Sequence, residues 1–81
     1  MTSPSATWHH LLDTQGLHCP LPLLKAKRAI SQLEPGQTLK VLATDAGSQG
    51  DFAAWTRIAG HNLHQSDCID GVYHYLIEKT I

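Results

Sequence analysis

Two prolines one residue apart, Pro20 and Pro22, fix where the first helix of this chain can start. Proline lacks the backbone N–H that a helix interior needs, but its fixed φ suits the first turn, whose N–H groups have no intrahelical partner. The segment Gly16-Leu17-His18-Cys19-Pro20-Leu21-Pro22 therefore reads as a loop entering a helix, with Pro20 at the first helical position and Pro22 still inside the first turn. The same placement sets Cys19 against the helix N-terminus. Unpaired N–H groups and the positive end of the helix dipole favour a sulfur anion there, so Cys19 is the candidate reactive atom, with a lowered pKa, and the prolines stiffen its seat.

The rest of the pattern supplies the fold. Residues 10–13 suit a short strand closed by the turn signal Gln15-Gly16. Over residues 20–33, an advance of about 100° per residue puts Leu23, Ala26, Ala29, Ile30 and Leu33 on one stripe, as in a helix packed on a sheet, and Pro35-Gly36 stops it. Residues 38–44 alternate, with Leu39, Val41 and Ala43 on one side. Ser48 followed by Asp51 has the form of a capping box with Asp in place of Glu, opening a helix on which Phe52, Trp55, Ile58 and Ala59 share a face before Gly60 ends it. Residues 61–66 and 72–79 read as a hairpin around Asp70-Gly71, with Tyr73, Tyr75 and Ile77 on one side of the last strand. The order βαβαββ predicts an α+β fold: a two-layer sandwich with two helices on one face of a four-stranded mixed sheet.

Size and charge narrow the function. Eighty-one residues make a single domain, at a size where only about 60% of the unfolded chain's surface is buried. Little room is left for an enclosed substrate cavity, which favours a surface function such as a carrier or binding module. Six Lys and Arg against seven Asp and Glu give a formal charge of −1, without the basic footprint of a nucleic-acid binder. Residues 1–8 lack a basic and apolar signal pattern and read as a flexible tail, and no apolar run is long enough for a membrane span. Cys19 and Cys68, far apart and without a Cys-x-x-Cys pair, indicate a reducing compartment, with the cytoplasm as the expected location.

The Cys-Pro-x-Pro segment, the strand ending in Leu12-Asp13, the Leu33-Glu34-Pro35-Gly36 turn and the Asp70-Gly71 hairpin together resemble the TusA/SirA family of small sulfur-carrier proteins over residues 10–79. The resemblance implies the same two-layer fold. It also implies that Cys19 accepts sulfane sulfur as a persulfide from a cysteine desulfurase or another sulfurtransferase, then yields it to the thiol of an acceptor sulfur-relay protein. Each step is an attack of thiolate on sulfur. The protein would be a sulfurtransferase component without independent turnover or cofactor. tRNA thiolation, molybdenum cofactor supply and sulfur oxidation are destinations the sequence does not separate.

The neighbours of Cys19 carry further expectations. His18 stands where many relatives carry Arg, and a protonated imidazole there would favour the thiolate. Leu21 and Leu24 fall outside the core stripe, on the side shared by Lys25 and Arg28, and an apolar spot rimmed by Lys27 and Arg28 suits a partner-docking surface. Asp45 matches an acidic position of the family's partner-contact region, although Ala46-Gly47 replaces the proline that often follows it. The histidines and cysteines lack the compact spacing of a zinc site, so no metal is expected. Trp8 is expected at an edge of the core, and Trp55 within it. Two other classes of function compete with the carrier: a regulatory or interaction module that does not use the thiol, and a redox protein pairing Cys19 with Cys68.

Overall fold

The computed structural model describes residues 8–81. The expected flexible tail lies, except for Trp8, outside these residues, and Trp8 itself is exposed. The chain runs β1 (His10–Thr14), α1 (Leu21–Ser31), β2 (Thr38–Ala43), α2 (Ser48–Ala59), β3 (Asn62–Ile69) and β4 (Val72–Glu78), the predicted βαβαββ order. The strands form one mixed sheet in the order β1-β2-β4-β3. β1 and β2 are parallel, joined through α1, whereas β4 pairs antiparallel with both β2 and β3. The β3–β4 turn is the two-residue Asp70-Gly71 step, with φ of 51° and 79°. Two positive φ values are what a primed hairpin turn requires to match strand twist.

Both helices lie on the same face of the sheet. Leu39, Val41 and Ala43 of β2 and Tyr75 and Ile77 of β4 are fully buried in one cluster with Ala26 and Ile30 of α1 and Phe52 of α2. The α1 stripe is as the periodicity predicts, with Leu23, Ala29 and Leu33 packed at its margin. The helix is shorter than expected, ending at Ser31, where Lys79 donates from Nζ to the carbonyls of Leu33 (2.6 Å) and Ser31 (3.4 Å). A cation there satisfies orphan carbonyls and complements the dipole. Lys40, on the open sheet face, is also buried and donates to Gln65 Oε1 at 2.8 Å.

Two expectations for α2 are overturned. Ile58 is not on its inner face but 83% exposed. The buried line is instead Ser48, Phe52 and Thr56, four residues apart each time, with Trp55 and Ala59 beside it, and Ile58 sits about 120° around the helix from Phe52. Thr56 is tolerated inside because its hydroxyl donates to the Phe52 carbonyl at 2.8 Å. Ser48 and Asp51 do not form a capping box either. Gly47 occupies the cap position with no side-chain cap. Ser48 Oγ turns inward to the Tyr75 hydroxyl at 2.7 Å, and Phe52 stacks on the same Tyr75 ring, with centroids 4.5 Å apart and planes at 9°.

Ser48→Ala leaves the buried Tyr75 hydroxyl without this partner and is expected to destabilise the fold by about 1–3 kcal/mol. Tyr75→Phe added to it is expected to recover most of that loss, because both polar groups are then gone. Denaturant melts of both single variants and the double variant check this; a Ser48→Ala chain as stable as the parent would refute it.

Candidate functional site

The loops after the two parallel strands meet at one end of the sheet. Thr14 Oγ1 donates to the Leu42 carbonyl (2.7 Å) and the Gly16 N–H donates to Thr44 Oγ1 (2.9 Å), so the β1–α1 loop is tied to the end of β2. This loop carries Cys19, whose side chain is exposed and free of any disulfide. The Cys19–Pro20 peptide bond is cis. Pro20 occupies the cap position of α1, not the first helical position expected, and its carbonyl accepts from Leu24 N–H at 3.0 Å. Pro22 follows in the first turn and is fully buried, so it is a packing residue as well as a stiffener.

The electrostatics of Cys19 overturn the expected lowering of its pKa. Its Sγ–H donates to Asp51 Oδ2 in the first turn of α2, at 3.0 Å. That hydrogen bond, followed by desolvation and by the charges of Asp51 and Asp45, pushes the thiol above its ordinary value. A carboxylate in contact favours the protonated sulfur. The helix terminus does not outweigh it, for a local reason. Pro20 and Pro22 have no N–H to offer, and the N–H groups of Leu21 and Leu24 are taken by the carbonyls of His18 and Pro20. The prolines that seat the sulfur therefore also remove donors from its surroundings.

The other expected site residues divide into two groups. Asp45 follows β2 and approaches Cys19 closely enough to act on it through its charge. Its Oδ1 is 4.0 Å from His18 Nδ1, whereas Oδ2 is buried without a hydrogen-bond partner. His18 is 89% exposed on its side chain, so this loose pair contributes little to stability. A side chain at position 47 would bring its Cβ within 3.0 Å of Asp45 Oδ2, so Gly47 makes the room the acid occupies. Leu21 and Leu24, at 46% and 53% exposure, lie on the outer side of α1 with Lys27 and Arg28 also exposed.

Cys68 lies within β3, paired with Tyr73, on a strand three places across the sheet from β1. Among the described residues, no cluster of His, Cys, Asp or Glu is placed to hold a metal ion, and no helix is long and apolar enough to cross a membrane. Asp51 is the site residue that sequence reasoning missed. Its spacing from Ser48 matches a cap, and nothing in a linear pattern points it to a cysteine 32 positions away.

In a Cys68→Ser background, the rate of Cys19 alkylation by iodoacetamide is expected to rise with pH through an inflection above the ordinary cysteine pKa of about 8.5. Stopped-time mass spectrometry across the alkaline range measures it. An inflection below about 8 would mean that the thiolate is favoured after all.

Residues 10–79 match the family model described as Sulfurtransferase TusA. A candidate sulfur carrier protein of Neisseria meningitidis serogroup A is 48% identical over 67 residues, covering 83% of this chain and 90% of the relative. The sulfur carrier protein TusA of Allochromatium vinosum is 45% identical over 69 residues, covering 85% and 91%. The crystal structure of a SirA-like protein from Desulfitobacterium hafniense shares the fold, with a TM-score of 0.79 at 24% identity, covering 90% of this chain and all of that one. With its Cys-Pro-x-Pro loop and βαβαββ sandwich, and matched along nearly its whole length, this chain belongs to the TusA family.

Proposed function

We propose that this protein is a sulfur carrier that holds sulfane sulfur as a persulfide on Cys19. Loading comes from a cysteine desulfurase or another sulfurtransferase, and delivery is to the thiol of an acceptor relay protein, with the cytoplasm as the place of exchange. The observation that carries this reading is an exposed, unpaired Cys19 thiol on the loop after β1, in a chain whose relatives bear the name of sulfur carriers. A sulfur that two different proteins must reach in turn has to stand on the surface. tRNA thiolation, molybdenum cofactor supply and sulfur oxidation all remain compatible destinations.

The exposed leucines fit the docking that a carrier needs. Leu21 and Leu24 begin two residues from the sulfur, and Lys27 and Arg28 continue the same helix, giving an apolar contact with a cationic rim. Asp45, from the β2–α2 loop, acts on the sulfur through its charge and lies 4.0 Å from the exposed His18. The redox alternative is less well supported, because Cys68 belongs to the far edge strand and the Cys19 thiol is engaged by Asp51.

Incubation with a cysteine desulfurase and cysteine is expected to add one sulfur atom to the intact mass of the protein, removable by reductant and absent in Cys19→Ser. No gain, with a desulfurase active on another carrier, would favour a different donor or the interaction-module reading, under which Cys19→Ser retains biological activity. Leu24→Asp is expected to slow sulfur transfer from the desulfurase while leaving alkylation of Cys19 by iodoacetamide unchanged. Equal transfer rates in the two proteins would remove this patch from the docking surface.

A further inference from the structure

The contact between Cys19 and Asp51 has a use in sulfur transfer, and the inference rests on the carrier reading above. We propose that Asp51 is a catalytic residue: the proton acceptor for the Cys19 thiol as it attacks the sulfane sulfur of a donor persulfide. The geometry is direct. The Sγ–H points at Asp51 Oδ2 at 3.0 Å, within the reach a general base requires. Asp51 is half-buried in the first turn of α2, held there by the inward anchor of Ser48 and by the buried Phe52 next to it in the chain.

The step balances without an outside oxidant. The Cys19 S–H bond breaks and its proton passes to Asp51. The sulfur's electron pair forms a new S–S bond to the outer sulfur of the donor, and the donor's own S–S bond breaks with its pair leaving on the donor thiolate. Asp51 then returns the proton to that thiolate. One S–S bond is lost and one is gained, so nothing is oxidised or reduced overall.

The surroundings suit a carboxylate in this role. The charged groups that act on the sulfur are Asp51 from α2 and Asp45 from the β2–α2 loop, and the exposed His18 from the sulfur's own loop lies 4.0 Å from Asp45. Two acids beside one thiol keep a free thiolate scarce in the resting protein, so the proton has to leave during the attack itself. The buried, unpartnered Oδ2 of Asp45 adds a second negative charge that favours a proton held between sulfur and acid.

The test compares the 81-residue protein with Asp51→Asn and Asp51→Glu in two reactions. Iodoacetamide alkylation needs a thiolate but no positioned base in a docked complex. Single-turnover sulfur loading from a desulfurase persulfide at saturating concentration needs both. Asp51→Asn is expected to alkylate faster at neutral pH, because the repelling charge is gone, yet to load sulfur slower by about 10²-fold, the lower range for loss of a general base. Asp51→Glu, which retains a carboxylate, is expected to recover part of the loading rate. Loading that accelerates together with alkylation would show that Asp51 only suppresses the thiolate, and rates unchanged in both reactions would show that it does neither; each result overturns the proposal. Failure of the parent protein itself to load, from the desulfurase and from a second sulfurtransferase persulfide alike, would instead remove the carrier reading, and the proposal with it.

Discussion

Tyr75 is the residue on which the placement of the site depends. It is fully buried in the central strand β4, its ring lies flat under Phe52 and its hydroxyl meets Ser48. These two contacts come from successive turns of α2 along one line, so they fix the rotation of that helix about its axis as well as its height over the sheet. With Ser48 turned inward, Asp51 lies nearly one turn further along and displaced to one side, where it meets the β1–α1 loop. Polar satisfaction in the core and the chemistry of an exposed sulfur are thus set by the same few residues.

The site itself is a balance of opposed local effects. A helix N-terminus lowers a thiol pKa through N–H groups and the dipole. Here two prolines empty much of that turn of donors, and a carboxylate from a second helix makes direct contact. The direct contact wins, because a charged hydrogen-bond acceptor at 3.0 Å acts over a shorter distance than a partial charge spread across a helix end. The result is an accessible sulfur whose pKa is raised above that of an ordinary cysteine.

Much of the fold was legible because it rests on local signals. The β4 alternation of Tyr73, Tyr75 and Ile77, the β2 set of Leu39, Val41 and Ala43, and the primed turn at Asp70-Gly71 each show in a few consecutive residues. So did the position of Cys19 at the entry to α1. Less legible was anything decided by a partner distant in sequence. Ser48 and Asp51 carry the spacing of a cap, and only the presence of Tyr75 and Cys19 across the fold turns each to another purpose. Ile58 was misplaced because a buried threonine, satisfied by its own helix, took part of the inner face.

The hairpin of β3 and β4 closes over a two-residue turn, whereas the hydrogen bond between Cys19 and Asp51 joins positions 32 apart and rests on the seating of α2. Loop closure makes contacts of the second kind entropically costly, and local opening draws on the least protected contacts of a fold. Any excursion that lifts the first turn of α2 away from Tyr75 also withdraws the carboxylate and with it the largest of the effects that push the Cys19 thiol above its ordinary value. The acidity of one surface sulfur is therefore a local gauge of whether the second helix is docked.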